Sequence, residues 1–251
     1  MCSAAALSNI GFTSASDQYC ENGQFVENNK KIVITIDGPS ASGKGTLAKM
    51  IAERLGYAHL DTGTLYRAVG FATLEMGGNP SKIEDVKPAI SIVKRNLTAE
   101  LLANPAIRSK QVADAASKVS ALGEVREKLL NYQQEFAKNP PGNVGGAVLD
   151  GRDTGTVICP EADVKFFVDA DVNERARRRF KDLERFNHGI TEEQVLIDLK
   201  ERDERDRNRP ISPAKPAEDA YIIDMTTKTP EEGVDEMIAI IREKILSKIS
   251  G

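Results

Sequence analysis

Apolar and polar positions fall into a repeating order along this chain. Five short runs are apolar at nearly every position: Lys31–Asp37, Gly56–Asp61, Ala147–Asp150, Val164–Asp169 and Ala220–Asp224. Runs of this length, rich in β-branched residues and without strict polar alternation, are the pattern of strands buried on both faces. Between them lie stretches with helical spacing. These are Leu47–Leu55, a segment from Asp61 or Thr62 to Ala72, Gln111–Ala137 with a break near Gly123, Asn173–Arg179, Thr191–Lys200 and Pro230–Ile249. Asp61 or Thr62 caps the second of these, and a Thr-x-x-Gln capping box starts the fifth. Strands alternating with helices predict an α/β fold, a five-stranded parallel sheet flanked by helices. Residues 77–110 are the least legible part, with weak helical periodicity between the breakers Gly77-Gly78-Asn79-Pro80 and Asn104-Pro105. The loop from Asn139 to Gly146 is a strong breaker that delivers the third strand.

Composition narrows this further. The chain has 251 residues, 40% of them hydrophobic and 29% charged, without tryptophan. That is enough for one core with smaller attached modules. A net charge of −4 argues against a dedicated nucleic-acid binder, which needs a basic face. No apolar run approaches the roughly 18–20 residues of a membrane span. Cys2, Cys20 and Cys159 are odd in number and lack metal-ligand spacing, so they read as reduced thiols. Residues 1–30 are rich in Ser, Ala, Asn and Gly, have no arginine and contain Asp17, Glu21 and Glu27. They match neither a secretory signal nor a transit peptide and read as a disordered or loosely docked extension. A cytoplasmic setting follows from the same features.

The chemistry starts at Gly38-Pro39-Ser40-Ala41-Ser42-Gly43-Lys44-Gly45-Thr46, between the first strand and the first helix. Strand, glycine-rich turn and helix make a phosphate-binding loop: backbone N–H groups curl around a phosphate and the helix N-terminus adds partial positive charge. Lys44 reaches the outer phosphates. Gly45 takes the place of the usual Ser/Thr, so a metal-facing hydroxyl has to come from Thr46. A second charged segment, Asp150-Gly151-Arg152-Asp153-Thr154-Gly155-Thr156, lies just beyond a strand's C-terminal end, where α/β sheets bind ligands. His59, on an apolar strand, reads as a packed histidine. The alternating charges of 200–209 read, taken alone, as a solvated helix face. Two arginine-bearing stretches, about 62–126 and 173–210, stand outside the strand pattern. A phosphate-binding core with two such modules suggests phosphoryl transfer between two bound nucleotides, with the modules closing to exclude water.

From about Ile32 onward the chain resembles bacterial cytidylate kinase, a nucleoside monophosphate kinase. The resemblance is carried by Ile36–Thr46, Asp61–Arg67, Ala115-Ala116-Ser117 with Val125-Arg126, Asp150–Thr156 and Lys200–Arg209, in that order. It implies a core of 31–61, 127–172 and 211–251, a monophosphate-binding module at about 62–126 and a lid at about 173–210. ATP is then the phosphoryl donor, cradled from Gly38 to Thr46, with Mg²⁺ facing Thr46 and, through water, Asp150. The resemblance makes Thr62 and Arg67 holders of the acceptor monophosphate, CMP or dCMP. It makes Ser117 and Arg126 readers of the cytosine edge, and Arg152 and Asp153 phosphate and ribose contacts. Asp206 contacts the sugar and Arg209 the phosphate. Arg178 and Arg202 are arginines of a mobile lid, which with Lys44 and Arg152 form the catalytic cations. A monomer is implied. The stretch between Pro80 and Gln111 is shorter than the insert this family often carries.

Other readings remain open at this point. One is a kinase for a different small acceptor, such as UMP, another monophosphate or shikimate. Another is a nucleotide-dependent switch without turnover, although the chain lacks the guanine-reading Asn-Lys-x-Asp segment. A third, RNA binding through the arginine-rich stretches, lacks both a basic balance and aromatic platforms.

Overall fold

The computed structural model describes residues 19–21, 24–26, 31–95, 104–184 and 189–249. Within the N-terminal extension, β1 (Tyr19–Glu21) and β2 (Gln24–Val26) pair as a short antiparallel hairpin. The rest of that extension lies outside the described residues.

The five expected strands form one sheet. They are β3 (Ile32–Asp37), β4 (Ala58–Asp61), β5 (Gly146–Gly151), β6 (Val164–Asp169) and β7 (Tyr221–Asp224), in the order β4-β5-β3-β6-β7, all parallel. The first strand to form the core in sequence is therefore central in space. Its neighbours β5 and β6 run out beside the phosphate-binding loop. Alternate side chains face opposite layers. Ile34, Ile36 and Val148 pack with α1 (Lys44–Leu55) and α8 (Pro230–Ile249) through Leu47, Ile51, Met237 and Ile241. Ala147 and Leu149 face Ala137 of α5 (Gly123–Lys138) on the other side. Both faces of the central strands are covered, which is why they lack polar alternation; β7, at the sheet edge, leaves Tyr221 and Ile222 exposed, contrary to the expectation of burial on both faces.

A second cluster lies apart from the sheet. It joins α2 (Thr62–Glu75), α3 (Ile83–Arg95), α4 (Lys110–Val119) and the start of α5 through Leu65, Val69, Val86, Ile90, Val119 and Leu129. Gly70 sets the spacing between α2 and α4, since a Cβ there would stand 3.0 Å from the Ala116 backbone nitrogen. The illegible stretch contains α3, which carries Pro88 inside it. The third cluster is small: α6 (Val172–Glu184) and α7 (Glu192–Asn208) meet through Ala176, Val195 and Leu199, with Ala41 of the phosphate-binding loop against them. The expected capping box is half formed. Thr191 accepts from the Gln194 backbone N–H at 3.2 Å, but the Gln194 side chain turns to Asp198. The charged run of 200–209 continues the same helix and ends at Arg209. Among the described residues no helix is long and apolar enough to cross a membrane.

Candidate active site

The loop after β3 is shaped for an anion. Gly38 lies so close to β6 that a Cβ would come within 2.0 Å of the Val168 carbonyl oxygen. Gly43, at φ 92°, precedes α1, whose first turn receives no side-chain cap. Its N–H groups are left for a ligand, as the anion-binding role of a helix N-terminus requires. Lys44 Nζ rests on the Pro39 carbonyl at 3.3 Å. Burial, with the Arg152 and Arg202 charges beyond it, lowers its pKa to about 7, against the opposing pull of Asp150 and Asp61. Cationic side chains crowd the site.

Two pockets meet at this loop. The outer one is bounded by Gly43, Thr46, Arg178, Met225 and Lys228. The inner one is bounded by Thr62, Arg67, Arg126, Asp150, Arg152 and Arg202, with Asp153, Asp206 and Arg209. Lys44, Gly45 and Arg179 border both. The inner pocket is a net of buried charges. Arg126 donates to Asp153 and, at 3.2 Å, to the Ser120 carbonyl, while its guanidinium lies 5.4 Å from the Tyr66 ring centre. Arg209 reaches the other Asp153 oxygen at 3.3 Å. Arg152 donates from Nε to Asp206 at 3.0 Å, and Arg202 lies 3.8 Å from the same oxygen. Burial opposes charge on Asp206, but Arg152, Arg202 and Arg209 hold its carboxyl below the usual range. Burial and the neighbouring Arg152 bring Arg202 down to about 10, and its Nε, though paired in charge with Asp206, has no hydrogen-bond partner among the described residues.

Most of the expected residues converge here, but several do so differently. Thr62 uses its hydroxyl on the Asp150 carbonyl, 2.8 Å away, and Arg67 donates to the Ile107 carbonyl at 3.2 Å. Ser117 does not border the pocket. It is buried and gives its hydroxyl to Asp206 at 3.3 Å, whereas Ala116 and Ser120 form the wall. Arg178 is anchored at the outer pocket by Glu174 (2.9 Å) and by the Met225 and Thr226 carbonyls at 2.7 and 3.2 Å. The arginine that borders both pockets is Arg179, which the basic run contained but could not single out. Adjacent helical residues point about 100° apart, so the choice depends on helix phase.

The two metal expectations separate in space. Thr46 borders the outer pocket, and Asp150 the inner one. The helix residue facing Asp150 is Gly45, whose Cβ would stand 3.6 Å from Asp150 Oδ2. Among the described residues no group of three or more His, Cys, Asp or Glu side chains is arranged around a metal. A single buried carboxylate beside a phosphate loop fits a cation that arrives with the phosphates and keeps its waters, the usual habit of Mg²⁺. His59, expected as a packing residue, holds its Nε2 2.8 Å from Asp150 Oδ1. Burial and Asp61 push the Asp150 carboxyl up, against His59 and Lys44.

A phosphate-binding loop, a bordering pocket of buried arginines and two converging helical modules make the geometry of a nucleotide-to-acceptor transferase. Comparison with known proteins decides which kind. The family model for cytidylate kinase matches residues 34–243. The chain belongs to the cytidylate kinase family. Curated cytidylate kinases from Bradyrhizobium diazoefficiens and Afipia carboxidovorans are 49% and 47% identical to it. Each match covers 84% of this chain, and 95% and 98% of the relative respectively. A solved structure of an uncharacterized protein from Eubacterium ventriosum shares the fold, with a TM-score of 0.51 and 14% identity. It covers 84% of this chain and 99% of that one. As a cytidylate kinase family member the chain is a nucleoside monophosphate kinase, and the five segments quoted above lie within the matched region.

Proposed function

We propose that this protein transfers the γ-phosphoryl group of ATP to CMP or dCMP, giving ADP and CDP or dCDP, as a cytoplasmic monomer. The observation that carries the reading is the pair of pockets meeting at Lys44. ATP enters the outer pocket with its phosphates on the Gly38–Thr46 backbone. The acceptor occupies the inner pocket, its phosphate toward Arg67, Arg152 and Arg202. Its base lies toward Arg126 and Ser120, with Ser117 acting through Asp206. A transferring phosphoryl group spreads charge over three equatorial oxygens, and the acceptor phosphate is itself an anion. Lys44, Arg152, Arg179 and Arg202 supply fixed positive charge around both. Positioning and this electrostatic collar, rather than covalent chemistry, account for catalysis. Asp150 would hold a magnesium ion through water, and that ion would supply positive charge to the phosphate oxygens. The acceptor phosphate is already nucleophilic, so no general base is required. Arg178, tied down at the outer pocket, serves the donor side.

The test is ADP release with MgATP against CMP, dCMP, UMP, AMP, GMP and shikimate. Fast turnover confined to CMP and dCMP is expected. Turnover that extends equally to UMP would remove the cytosine-reading role of the Arg126 wall. No turnover from folded protein that binds ATP would overturn the reading.

A further inference from the structure

Asp37 closes β3, one residue before the glycine that opens the phosphate-binding loop, and the mechanism above makes no use of it. Its carboxylate is buried, 4% exposed. Among the described residues no cationic side chain pairs with it. Lys165, on the adjacent strand β6, spends its Nζ on the Pro160 carbonyl and on Asp219. What Asp37 receives instead is three donors from one turn. Thr154 gives Oδ1 its backbone N–H and its hydroxyl, both at 2.9 Å, and Gly155 gives Oδ2 its N–H at 2.8 Å. The partners lie 117 and 118 residues away in sequence.

The same turn carries Arg152 and Asp153. Its two glycines make room for the clasp. A Cβ on Gly151 would stand 2.5 Å from Thr62 Oγ1, and one on Gly155 would stand 2.8 Å from Thr35 Oγ1 and 3.5 Å from Asp37 Oδ2. Asp37 thus accounts for Thr154, while the close neighbours Thr62 and Thr35 account for the glycines at 151 and 155. We infer that Asp37 is a positioning residue for the acceptor half of the site, fixing the Thr154–Gly155 turn and through it the Arg152 and Asp153 side chains. The inference rests on the reading of Arg152 and Asp153 as acceptor contacts.

A carboxylate is the group this clasp requires. All three partners donate, so an amide or a protonated acid would set a donor against a donor. Burial, reinforced by the like charge of Asp153, lifts the Asp37 carboxyl to about 6 against the three hydrogen bonds. The ionisable groups around it are Asp153 from the turn, Lys165 from β6 with its Nζ turned away, and Cys159. Burial and the Asp37 charge push the Cys159 thiol up to about 11, so it stays neutral. As pH falls through about 6, Asp37 takes up a proton and the clasp loosens. Acceptor affinity falls with it, and donor affinity does not.

The experiment measures KM for CMP and for ATP between pH 5 and 8 in the wild type, Asp37→Asn and Thr154→Val, with thermal unfolding alongside. At pH 7.5 Asp37→Asn is expected to raise KM for CMP roughly tenfold, and Thr154→Val roughly threefold, the scale of losing hydrogen bonds to a charged group. KM for ATP is expected to stay within about twofold. The CMP phosphate titrates near pH 6 on its own account, so the reading is the ratio of variant to wild-type KM. That ratio is expected to shrink toward one below pH 6, where the wild type has lost the clasp too. A ratio constant with pH, or variants that move both KM values alike, would overturn the inference and leave Asp37 a stability residue. Should Asp37→Asn fail to fold, the Thr154→Val ratio decides by the same criterion. Failure of the underlying reading looks different: wild type inactive on CMP, or Arg152→Ala and Asp153→Ala leaving KM for CMP unchanged.

Discussion

At the scale of single residues, the site holds more cationic side chains than carboxylates to balance them. Lys44 shows this most directly. With a pKa of about 7 in the free protein, about three-quarters of the molecules carry it neutral at pH 7.5. Bound phosphates favour the charged form, so ATP binding at pH 7.5 should take up protons from buffer. Calorimetry in buffers of different ionisation enthalpy is expected to show that uptake vanish near pH 6, where the lysine is already charged. Lys44→Ala should lower turnover by orders of magnitude, the scale of losing a preorganised charge at the transferring group. Arg178 and Arg179 should part company in the same assay. Arg179→Ala, at the junction of the pockets, is expected to lower kcat at least tenfold. Arg178→Ala, held by Glu174 and two carbonyls of the outer pocket, should mainly raise KM for ATP. Equal kcat losses in both would contradict the placement.

Elements act through the contacts that join them. Arg175 is buried at the start of α6 and ties three parts of the chain together. It donates to the Ala170 carbonyl (2.9 Å), to the Ser40 carbonyl in the phosphate-binding loop (3.1 Å) and to Asp203 on α7 (2.6 Å). Arg175→Met leaves Asp203 buried without its cation, and breaking such a pair costs about 3–5 kcal/mol. Thermal unfolding should register that loss, and the double variant Arg175→Met, Asp203→Leu should recover a good part of it. The central strands were legible because burial on both faces leaves uninterrupted apolar runs, and the caps of α2 and α7 because their chemistry is local; β7 kept an apolar run although only Ile223 is buried. Less local features escaped. Pro88 inside α3 obscured a helix that tertiary packing sustains through Val86, Ile90 and Val93. His59 sits beside Asp150 because β4 and β5 are paired in register, which neither strand's own sequence states. The charged face of 200–209 read, taken alone, as solvated, and only the family resemblance marked it; in the structure α7 turns Arg202 and Asp206 to the inner pocket, while Asp203 pairs with Arg175.

For the molecule as a whole, the arrangement is one parallel sheet with two groups of helices whose apolar clusters differ in size. The module of α2 to α5 has an extensive apolar cluster of its own, whereas α6 and α7 share a small one and lean on Ala41 of the loop they cover. If α6 and α7 close over bound nucleotides, water is excluded, and ATP hydrolysis without an acceptor should be slow. The central place of β3 has a practical consequence as well. The strand runs from Ile32 to Asp37, and the phosphates bind beyond its C-terminal end. Six residues at about 3.3 Å each put Lys31 about 20 Å from that end. The region ahead of Lys31 is therefore a suitable tethering point. Deleting residues 1–29 should leave kcat and both KM values within about twofold, by the same ADP-release assay. A surface anchor or fluorescent reporter joined at Lys31 would begin on the side of the sheet away from the chemistry, leaving both nucleotide entrances facing solution.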